Sequence, residues 1–289
     1  MDRRREIRPR RSALFMPGSN RRAVNKARSL AADVVVVDLE DAVAPEAKAD
    51  ARAQVVAEIG QGGFGRREVI VRVNALDTVW GAADLEAVAP LAVDGVLLPK
   101  VESPDQVREA ASRLDGAGGG ALPLWVMVET PAGVINAPAI AAAGDRLRCL
   151  VLGTSDLGKD MRLPPDESRL GLLSPLSWCV AAARAAGLDV LDGVHLDIAD
   201  GDGFRRLCEQ GRRLGFDGKT LIHPDQIAAA NEIFGPTDDE ADSAREIIDA
   251  WERARRDGQG VAVVRGRLVE NLHVEAARRT LDLYEIIAG

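Results

Sequence analysis

The chain has 289 residues, of which 46% are hydrophobic, so it can bury the core of one large domain. Its formal net charge of −8 and its pI near 5.1 argue against the broad basic surface that nucleic-acid binding requires. No segment of the sequence approaches the roughly 20 apolar residues that span a membrane. We therefore expect a cytoplasmic protein that acts on a small molecule, with neither nucleic acid nor a membrane as partner.

Apolar runs of strand length recur along the chain, and each one ends at a glycine, a proline or a charged residue. They are Ser12–Met16, Val34–Leu39, Val69–Val73, Gly95–Pro99, Leu124–Val128, Cys149–Leu152, Val190–Leu196 and Lys219–Ile222. Ala-rich helical stretches alternate with them, at Arg22–Ala32, Lys48–Ile59, Ala82–Leu91, Pro104–Leu114, Ser177–Ala186 and Gly203–Leu214. This alternation predicts a parallel α/β sheet, and eight units in about 225 residues fit a (β/α)8 TIM barrel better than an open doubly wound sheet.

The predicted barrel covers residues 1–235, and a C-terminal extension covers residues 236–289. The extension contains a helical pattern at Asp238–Gly258, a short segment at Val261–Arg265 and a final helix at Val274–Ala288. A barrel does not need these elements. We expect the extension to pack on a neighbouring subunit.

Two carboxylates follow consecutive predicted strands. Glu129 comes after Val126-Met127-Val128, and Asp156 comes after the run that starts at Leu150. If these strands are neighbours in a parallel sheet, both carboxylates reach the same edge, where Mg²⁺ or Mn²⁺ could be bound by oxygen ligands. No histidine lies near either residue, which disfavours zinc. The alternative is that each carboxylate caps a helix or pairs with an arginine.

Three acids and one arginine lie at the ends of the second and third predicted strands. Asp38, Glu40 and Asp41 are crowded, and crowded carboxylates resist ionising together unless a cation compensates them. They could accept hydrogen bonds from metal-bound water, or they could cap the helix that Pro45 opens. Arg72, if buried, needs an anion. That anion is either a substrate carboxylate or thioester oxygen, or one of the three acids.

Two further features of the predicted carboxyl-terminal rim carry basic groups. Pro17-Gly18-Ser19-Asn20-Arg21-Arg22 leads from a strand into a helix and is a candidate phosphate site, to which Lys26 could add charge. Lys100 is placed like the nucleophile of a Schiff-base aldolase. Its alternative is a salt bridge to Glu102 or Asp41.

Segments spread along the chain match a known family in that family's order. They are Leu14-Phe15-Met16-Pro17-Gly18-Ser19, Asp38-Leu39-Glu40-Asp41-Ala42-Val43-Ala44-Pro45, Val71-Arg72-Val73-Asn74, Leu98-Pro99-Lys100, Glu129-Thr130-Pro131-Ala132-Gly133, Gly153-Thr154-Ser155-Asp156-Leu157, Gly218-Lys219-Thr220-Leu221-Ile222-His223-Pro224 and Gly266-Arg267-Leu268-Val269-Glu270-Asn271. On these segments the chain closely resembles the citrate lyase β-subunit-like family, which includes malyl-CoA and citramalyl-CoA lyases.

The resemblance implies a barrel that forms homotrimers or hexamers, with Mg²⁺ held by Glu129 and Asp156. It implies that Arg72 contacts the substrate near the thioester and that Glu270 enters the site of a neighbouring subunit. Glu40 and Asp41 complete the predicted catalytic group. Coenzyme A, as part of an acyl-CoA substrate, would be bound by the residues that match the family's CoA positions, with Ser19 from the candidate phosphate site. These residues are Phe15, Ser19, Lys26, Arg72, Ile222 and Pro224.

The activity that we expect from the resemblance is a Mg²⁺-dependent carbon–carbon lyase. It would cleave a 3-hydroxyacyl-CoA of the malyl-CoA or citramalyl-CoA type to acetyl-CoA and a 2-oxo acid. The alternatives are a malyl-CoA thioesterase, from which no residue separates a lyase, and a citrate lyase β-subunit that acts on a carrier-protein thioester.

The chain departs from the family pattern at three places. Arg265 stands where relatives often have an acid, and Asn20 stands where lyases often have an arginine. The segment around Leu172–Ser177 lacks the Tyr-Ala-Arg pattern of many β-subunits, which argues against a citryl substrate.

Overall fold

The computed structural model of the chain describes residues 7–289. The chain divides into two compact units, one formed by Arg10–Glu232 and another that contains Ile233–Gly289. None of the helices within residues 7–289 is both long and apolar enough to cross a membrane.

Eight parallel strands of the first unit close into a barrel in chain order. They are β1 (Ser12–Pro17), β2 (Val34–Asp38), β3 (Glu68–Arg72), β4 (Gly95–Leu98), β5 (Leu124–Val128), β6 (Leu147–Leu152), β7 (Asp189–Asp192) and β8 (Gly218–Leu221). The α-helices within residues 7–289 are α1 (Arg21–Ala27), α2 (Lys48–Gly60), α3 (Gly81–Val88), α4 (Pro104–Gly116), α5 (Pro131–Ile135), α6 (Ala137–Ala141), α7 (Thr154–Asp160), α8 (Leu173–Ala185), α9 (Gly201–Leu214), α10 (Ile227–Phe234), α11 (Asp238–Arg256) and α12 (Asn271–Ala288). The predicted TIM barrel is confirmed.

Alternate residues of the strands share an apolar cluster that includes Ala13, Val36, Ile70 and Trp125. Successive side chains of a strand point to opposite faces, so this spacing is that of the barrel interior. By the same parity Arg72, two residues after Ile70, shares the interior face at the end of β3.

Buried ion pairs close the amino-terminal end of the barrel. Arg10 donates to both carboxylate oxygens of Glu68, the first residue of β3, at 2.7 Å. It also donates to Asp189, the first residue of β7, at 2.5 Å, and its guanidinium lies 4.9 Å from the ring centroid of Trp125. The opposite end, where the strands finish, is therefore the end available for a site.

Strand β7 is shorter than its apolar pattern predicts. It was expected to run to Leu196 but ends at Asp192. The Asp192 carboxylate is buried against Lys219 and Arg169, and it also accepts the N–H of Gly193. A side chain at Gly193 would lie 2.2 Å from the hydroxyl of Thr154, so the backbone leaves the sheet where only glycine fits. Helix α1 also ends earlier than predicted, at Ala27 rather than Ala32.

The second unit has a small core of its own, which includes Trp251, Val269 and Val274. Two antiparallel strands, β9 (Ala262–Val264) and β10 (Arg267–Val269), are joined by Arg265 and Gly266, whose φ angles are 48° and 77°. Positive φ at both central residues is typical of a type I′ hairpin turn. The packing of residues 236–289 on a neighbouring subunit stays a prediction, and residues 1–6 of the predicted barrel lie outside the described part of the chain.

Candidate active site

An arginine and two acids form a buried cluster at the carboxyl-terminal end of β2 and β3. Arg72 and Asp38 are the last residues of these strands and face each other in register. Arg72 donates from Nε and Nη2 to the two Asp38 oxygens, both at 2.7 Å, in the bidentate geometry that suits a guanidinium. Its Nη1 lies 2.8 Å from Glu40 Oε2, an ion pair without hydrogen-bond geometry. An acid of the chain is thus one partner of Arg72.

The charges of this cluster shift the pKa values of its members. Burial by itself would lower the pKa of Arg72, but the hydrogen bonds and charge of Asp38 and the charge of Glu40 hold it above its usual value. Burial raises the pKa of Glu40, although the charge of Arg72 and the hydrogen bond from Lys100 oppose this. The face of the guanidinium lies 4.8 Å from the ring centroid of Phe15, which limits how far Arg72 can move.

A buried lysine holds the backbone of the acid turn, which we define as Asp38–Asp41. Lys48 Nζ donates to the carbonyl oxygens of Leu39 and Glu40 at 2.9 and 2.7 Å and to Asn74 Oδ1 at 2.7 Å. All three ammonium protons are thus used, and the turn is fixed in place. The sequence gives no signal for this role, because Lys48 opens an Ala-rich helix where a lysine is ordinarily exposed.

Glu129 is the most deeply buried of the predicted metal ligands, with 2% of its surface exposed. It directly follows β5, and its Oε1 accepts the backbone N–H of Lys100 at 2.7 Å. Its Oε2 lies against Gly153, where a Cβ would come within 2.5 Å of it. Burial, and next the negative charge of Glu40, raises the pKa of Glu129 to about 7. The site therefore disfavours the charged carboxylate, and a bound cation would remove that penalty.

Asp156 lies at the same rim but is placed by a helix. Strand β6 ends at Leu152, as its apolar run predicts, and Asp156 lies in the first turn of α7, which begins at Thr154. Strands β5 and β6 pair with Val128 opposite Leu152, so both carboxylates follow adjacent strand ends. The charge of Asp156 also contributes to the raised pKa of Glu129.

The donor set fits a hard divalent cation better than zinc. Within residues 7–289, no group of three or more His, Cys, Asp or Glu residues is arranged to hold a metal ion. Two carboxylates leave several coordination positions for water and substrate, which is typical of Mg²⁺ sites. The buried Glu129, whose charged form lacks full compensation, is the observation that supports this fit.

Lys100 forms ion pairs that oppose a Schiff-base role. Its ammonium donates to Glu40 and lies 3.6 Å from Asp41, whereas Glu102 is not a partner. Burial would lower the pKa of Lys100, but the hydrogen bond and charge of Glu40 raise it above its usual value. A nucleophilic amine must be unprotonated, so the aldolase alternative loses its support.

Three of the predicted coenzyme A residues lie in or just after two strands that pair with each other. Phe15 lies in β1, Ile222 directly follows β8, and Pro224 comes two residues later. Ser19 precedes the N-cap of α1, Lys26 lies in the last turn of this helix, and both residues are exposed. The start of α1 is weaker as a phosphate site than its sequence indicates, because the Asn20 side chain caps it by accepting the N–H of Ala23.

Glu270 lies in the second unit, where it caps α12 and is exposed. The structure describes one chain, and the entry of Glu270 into the site of a neighbouring subunit stays a prediction.

The chain forms a closed barrel with acidic side chains and a buried arginine at the carboxyl-terminal ends of its strands. This arrangement is typical of TIM-barrel enzymes, whose active sites lie at that end. The model of the HpcH/HpaI aldolase/citrate lyase family matches residues 11–224. The chain belongs to this family.

Individual relatives are similar to the chain over nearly its whole length. A (3S)-malyl-CoA thioesterase of Cereibacter sphaeroides is 48% identical over 97% of this chain and 96% of its own length. The citrate lyase subunit beta of Escherichia coli is 36% identical over 98% of this chain and 95% of its own. A crystal structure of CitE from Mycobacterium tuberculosis in complex with magnesium, acetoacetate and coenzyme A has a TM-score of 0.76 and 31% identity, and covers 95% of this chain and 97% of that one.

These similarities correct the activity that the sequence led us to expect. We expected a carbon–carbon lyase, but the thioesterase is the more similar relative, by 48% to 36% identity over comparable lengths. The prediction of lyase activity is wrong on this finding. The error has a physical origin, since both reactions use an acyl-CoA thioester and no residue of the predicted site distinguishes them.

Proposed function

We propose that the protein is a Mg²⁺-dependent thioesterase that hydrolyses (3S)-malyl-CoA to malate and free coenzyme A. The single observation that carries this proposal is the 48% identity to the (3S)-malyl-CoA thioesterase of Cereibacter sphaeroides across 97% of the chain. The placement of Glu129, Asp156 and Arg72 at one rim of the barrel supports it.

The proposed metal ligands are Glu129 and Asp156, with Mn²⁺ as a possible substitute for Mg²⁺. When bound, the cation supplies Lewis-acid stabilisation of negative charge on a substrate oxygen. The raised pKa of Glu129 and the magnesium in the related CitE structure support this assignment. Coenzyme A would be bound along Phe15, Ser19, Lys26, Ile222 and Pro224, and coenzyme A in the same CitE structure supports that part of the proposal.

The proposed reaction is attack of water on the thioester carbonyl carbon. A bond forms between the water oxygen and that carbon, the carbon–sulfur bond breaks, and the departing sulfur takes up the proton that the water loses, so coenzyme A leaves as its thiol. Negative charge develops on the carbonyl oxygen, and Arg72, fixed by Asp38 and Phe15, is the preorganised cation that would stabilise it.

Asp41 is the member of the acid turn that we assign to accept the proton of the attacking water. Asp38 and Glu40 are buried and accept hydrogen bonds from cations, whereas the Asp41 side chain is 58% exposed and lies 3.7 Å from Arg72 and 3.6 Å from the Lys100 ammonium. A general base must be free to approach water, and this condition separates Asp41 from its two neighbours.

Replacing Asp41 with asparagine should lower kcat by about 100-fold and change KM little, since a positioned base contributes at least this factor. The matched control is Glu46→Gln, which neutralises an exposed acid of the same connection. Steady-state kinetics with (3S)-malyl-CoA measures both. Equal kcat values for the two variants would remove Asp41 from the mechanism.

Product analysis tests the proposed reaction directly. The purified protein is incubated with (3S)-malyl-CoA in Mg²⁺ or in EDTA, and the products are resolved by mass. We expect free coenzyme A and malate in Mg²⁺ and almost no turnover in EDTA. Acetyl-CoA with glyoxylate would contradict hydrolysis, and full activity in EDTA would contradict the metal site.

The assembly into homotrimers or hexamers is also a proposal, supported by the C-terminal unit that a barrel does not require. Light scattering coupled to size-exclusion chromatography measures the mass in solution. A monomer at micromolar concentration would contradict it. The cytoplasmic location stays a prediction.

A further inference from the structure

Lys100 contacts the proposed metal ligand Glu129 and the acid turn through two different parts of the same residue. Its backbone N–H donates to Glu129 Oε1 at 2.7 Å. Its ammonium donates to Glu40 and lies 3.6 Å from Asp41. Glu40 is in turn 2.8 Å from Arg72 Nη1. One residue thus links the proposed metal ligand to the proposed charge-stabilising arginine.

The backbone of Lys100 has a conformation that side chains other than glycine rarely adopt. Its φ angle is 52°, in the left-handed region. Such a conformation persists in a non-glycine residue only when surrounding contacts hold it. The ion pair of its ammonium and the hydrogen bond of its N–H are two such contacts of Lys100. In this conformation the N–H points at Glu129.

We propose that Lys100 is a positioning residue with two separable actions. Its N–H orients Glu129 for the cation, and its ammonium holds Glu40 beside Arg72 and so keeps that side of the site in place. The inference rests on the proposed Mg²⁺ site and on the proposed role of Arg72.

The backbone action is tested by Mg²⁺ binding to Lys100→Gly and Lys100→Ala, measured by calorimetry without substrate. Both variants lose the ammonium, but glycine adopts positive φ without strain, whereas alanine does not. We expect Lys100→Gly to bind Mg²⁺ within about twofold of wild type and Lys100→Ala to bind at least about fivefold more weakly, given the cost of the left-handed conformation. A merely structural role gives the same order in melting temperature, because alanine is strained at positive φ, but it leaves the Mg²⁺ affinities of the two folded variants equal.

The ammonium action is tested by the kinetics of Lys100→Met and Lys100→Arg at saturating Mg²⁺. Methionine keeps the length of the side chain and removes the charge, so kcat should fall by about 10-fold or more while KM changes by less than about threefold. Arginine restores a cation near Glu40 and should recover part of kcat. The matched control is Glu102→Ala, an exposed residue two positions further along the chain.

The outcomes separate this inference from the function on which it rests. If Lys100→Gly and Lys100→Ala bind Mg²⁺ equally well, or if Lys100→Gly binds it more weakly, the backbone action is overturned. The metal site of the wild-type protein is unaffected by that result. A methionine variant with wild-type kcat would overturn the ammonium action. Wild-type protein that binds no Mg²⁺ would overturn the metal site and the backbone action together. In that case the kinetics of Lys100→Met and Lys100→Arg, measured on the product that the wild-type protein forms, still test the ammonium action.

Discussion

Replacing Glu129 with glutamine should weaken Mg²⁺ binding by about 100-fold or more and lower the turnover of (3S)-malyl-CoA by about 1,000-fold, since Lewis-acid stabilisation is worth several kcal/mol. Glutamine keeps the shape of the side chain, and its carbonyl oxygen can still accept the N–H of Lys100. The change removes the negative charge and little else. Calorimetric titration with Mg²⁺ and steady-state kinetics measure the two effects.

The same substitution should stabilise the metal-free protein. A carboxyl whose pKa is raised from 4.5 to about 7 by burial penalises the folded state by about 3 kcal/mol at pH 8. The folded state binds the extra proton between pH 4.5 and 7, so wild-type stability falls as pH rises through this window. Glu129→Gln has no ionisable group at this position, so its stability does not fall for this reason as pH rises. In EDTA, the difference in unfolding free energy should be small below pH 4.5 and reach its full value above pH 7.

Mg²⁺ should reverse the order of stability. The cation binds the charged carboxylate, so it should raise the melting temperature of wild type at pH 8 and leave that of Glu129→Gln unchanged. The matched control is Glu102→Gln, which neutralises an exposed acid near the same rim. A melting temperature of Glu129→Gln that rises with Mg²⁺ as much as that of wild type would place the cation elsewhere.

The barrel could be predicted from the sequence because its signal is repeated and local. Apolar runs such as Leu124–Val128 end at a charge or a glycine in unit after unit, and one misread boundary does not change the alternation. The end of β7 was misread since Val194 and Leu196 continue an apolar pattern. The strand ends where the Asp192 carboxylate is buried against Lys219 and Arg169 and where a Cβ at Gly193 would meet Thr154, and none of these three partners is a neighbour in sequence.

The candidate site was predictable in its residue types and less so in its contacts. Glu129, Asp156 and Arg72 could be placed at one rim, because the carboxyl ends of parallel strands meet there. The partners that fix them could not be found in this way. Lys48 donates to backbone carbonyl oxygens of another segment, and Lys100 donates its own backbone N–H to Glu129; no residue pattern encodes such contacts.

The choice between hydrolysis and carbon–carbon cleavage lay beyond the sequence for another reason. Both reactions bind the same thioester, stabilise charge on an oxygen and need a base. They differ in whether water reaches the carbonyl carbon. Access of water depends on the shape of the site in the bound state, and residue types at a rim do not specify it.

Replacing Arg72 should have the second large effect, because this arginine compensates two buried acids as well as stabilising charge on the substrate. Arg72→Met leaves Asp38 buried without its cation and Glu40 with Lys100 alone, and breaking a buried pair in this way costs about 3–5 kcal/mol. Turnover should fall by about 1,000-fold through the loss of a preorganised donor. Arg72→Lys keeps the charge but cannot pair with both oxygens of Asp38, so we expect an intermediate loss of both properties.

A double variant separates the two roles of Arg72. In Asp38→Asn/Arg72→Met the carboxylate that paired with the arginine no longer carries a charge, so much of the lost stability should return, while turnover should stay as low as in Arg72→Met. Denaturant unfolding and kinetics measure the two quantities, and Arg66→Met, at an exposed arginine before β3, is the control. Turnover that recovers in step with stability would mean that Arg72 serves the fold alone, and the charge on the thioester oxygen would then have to be stabilised by another group at the rim.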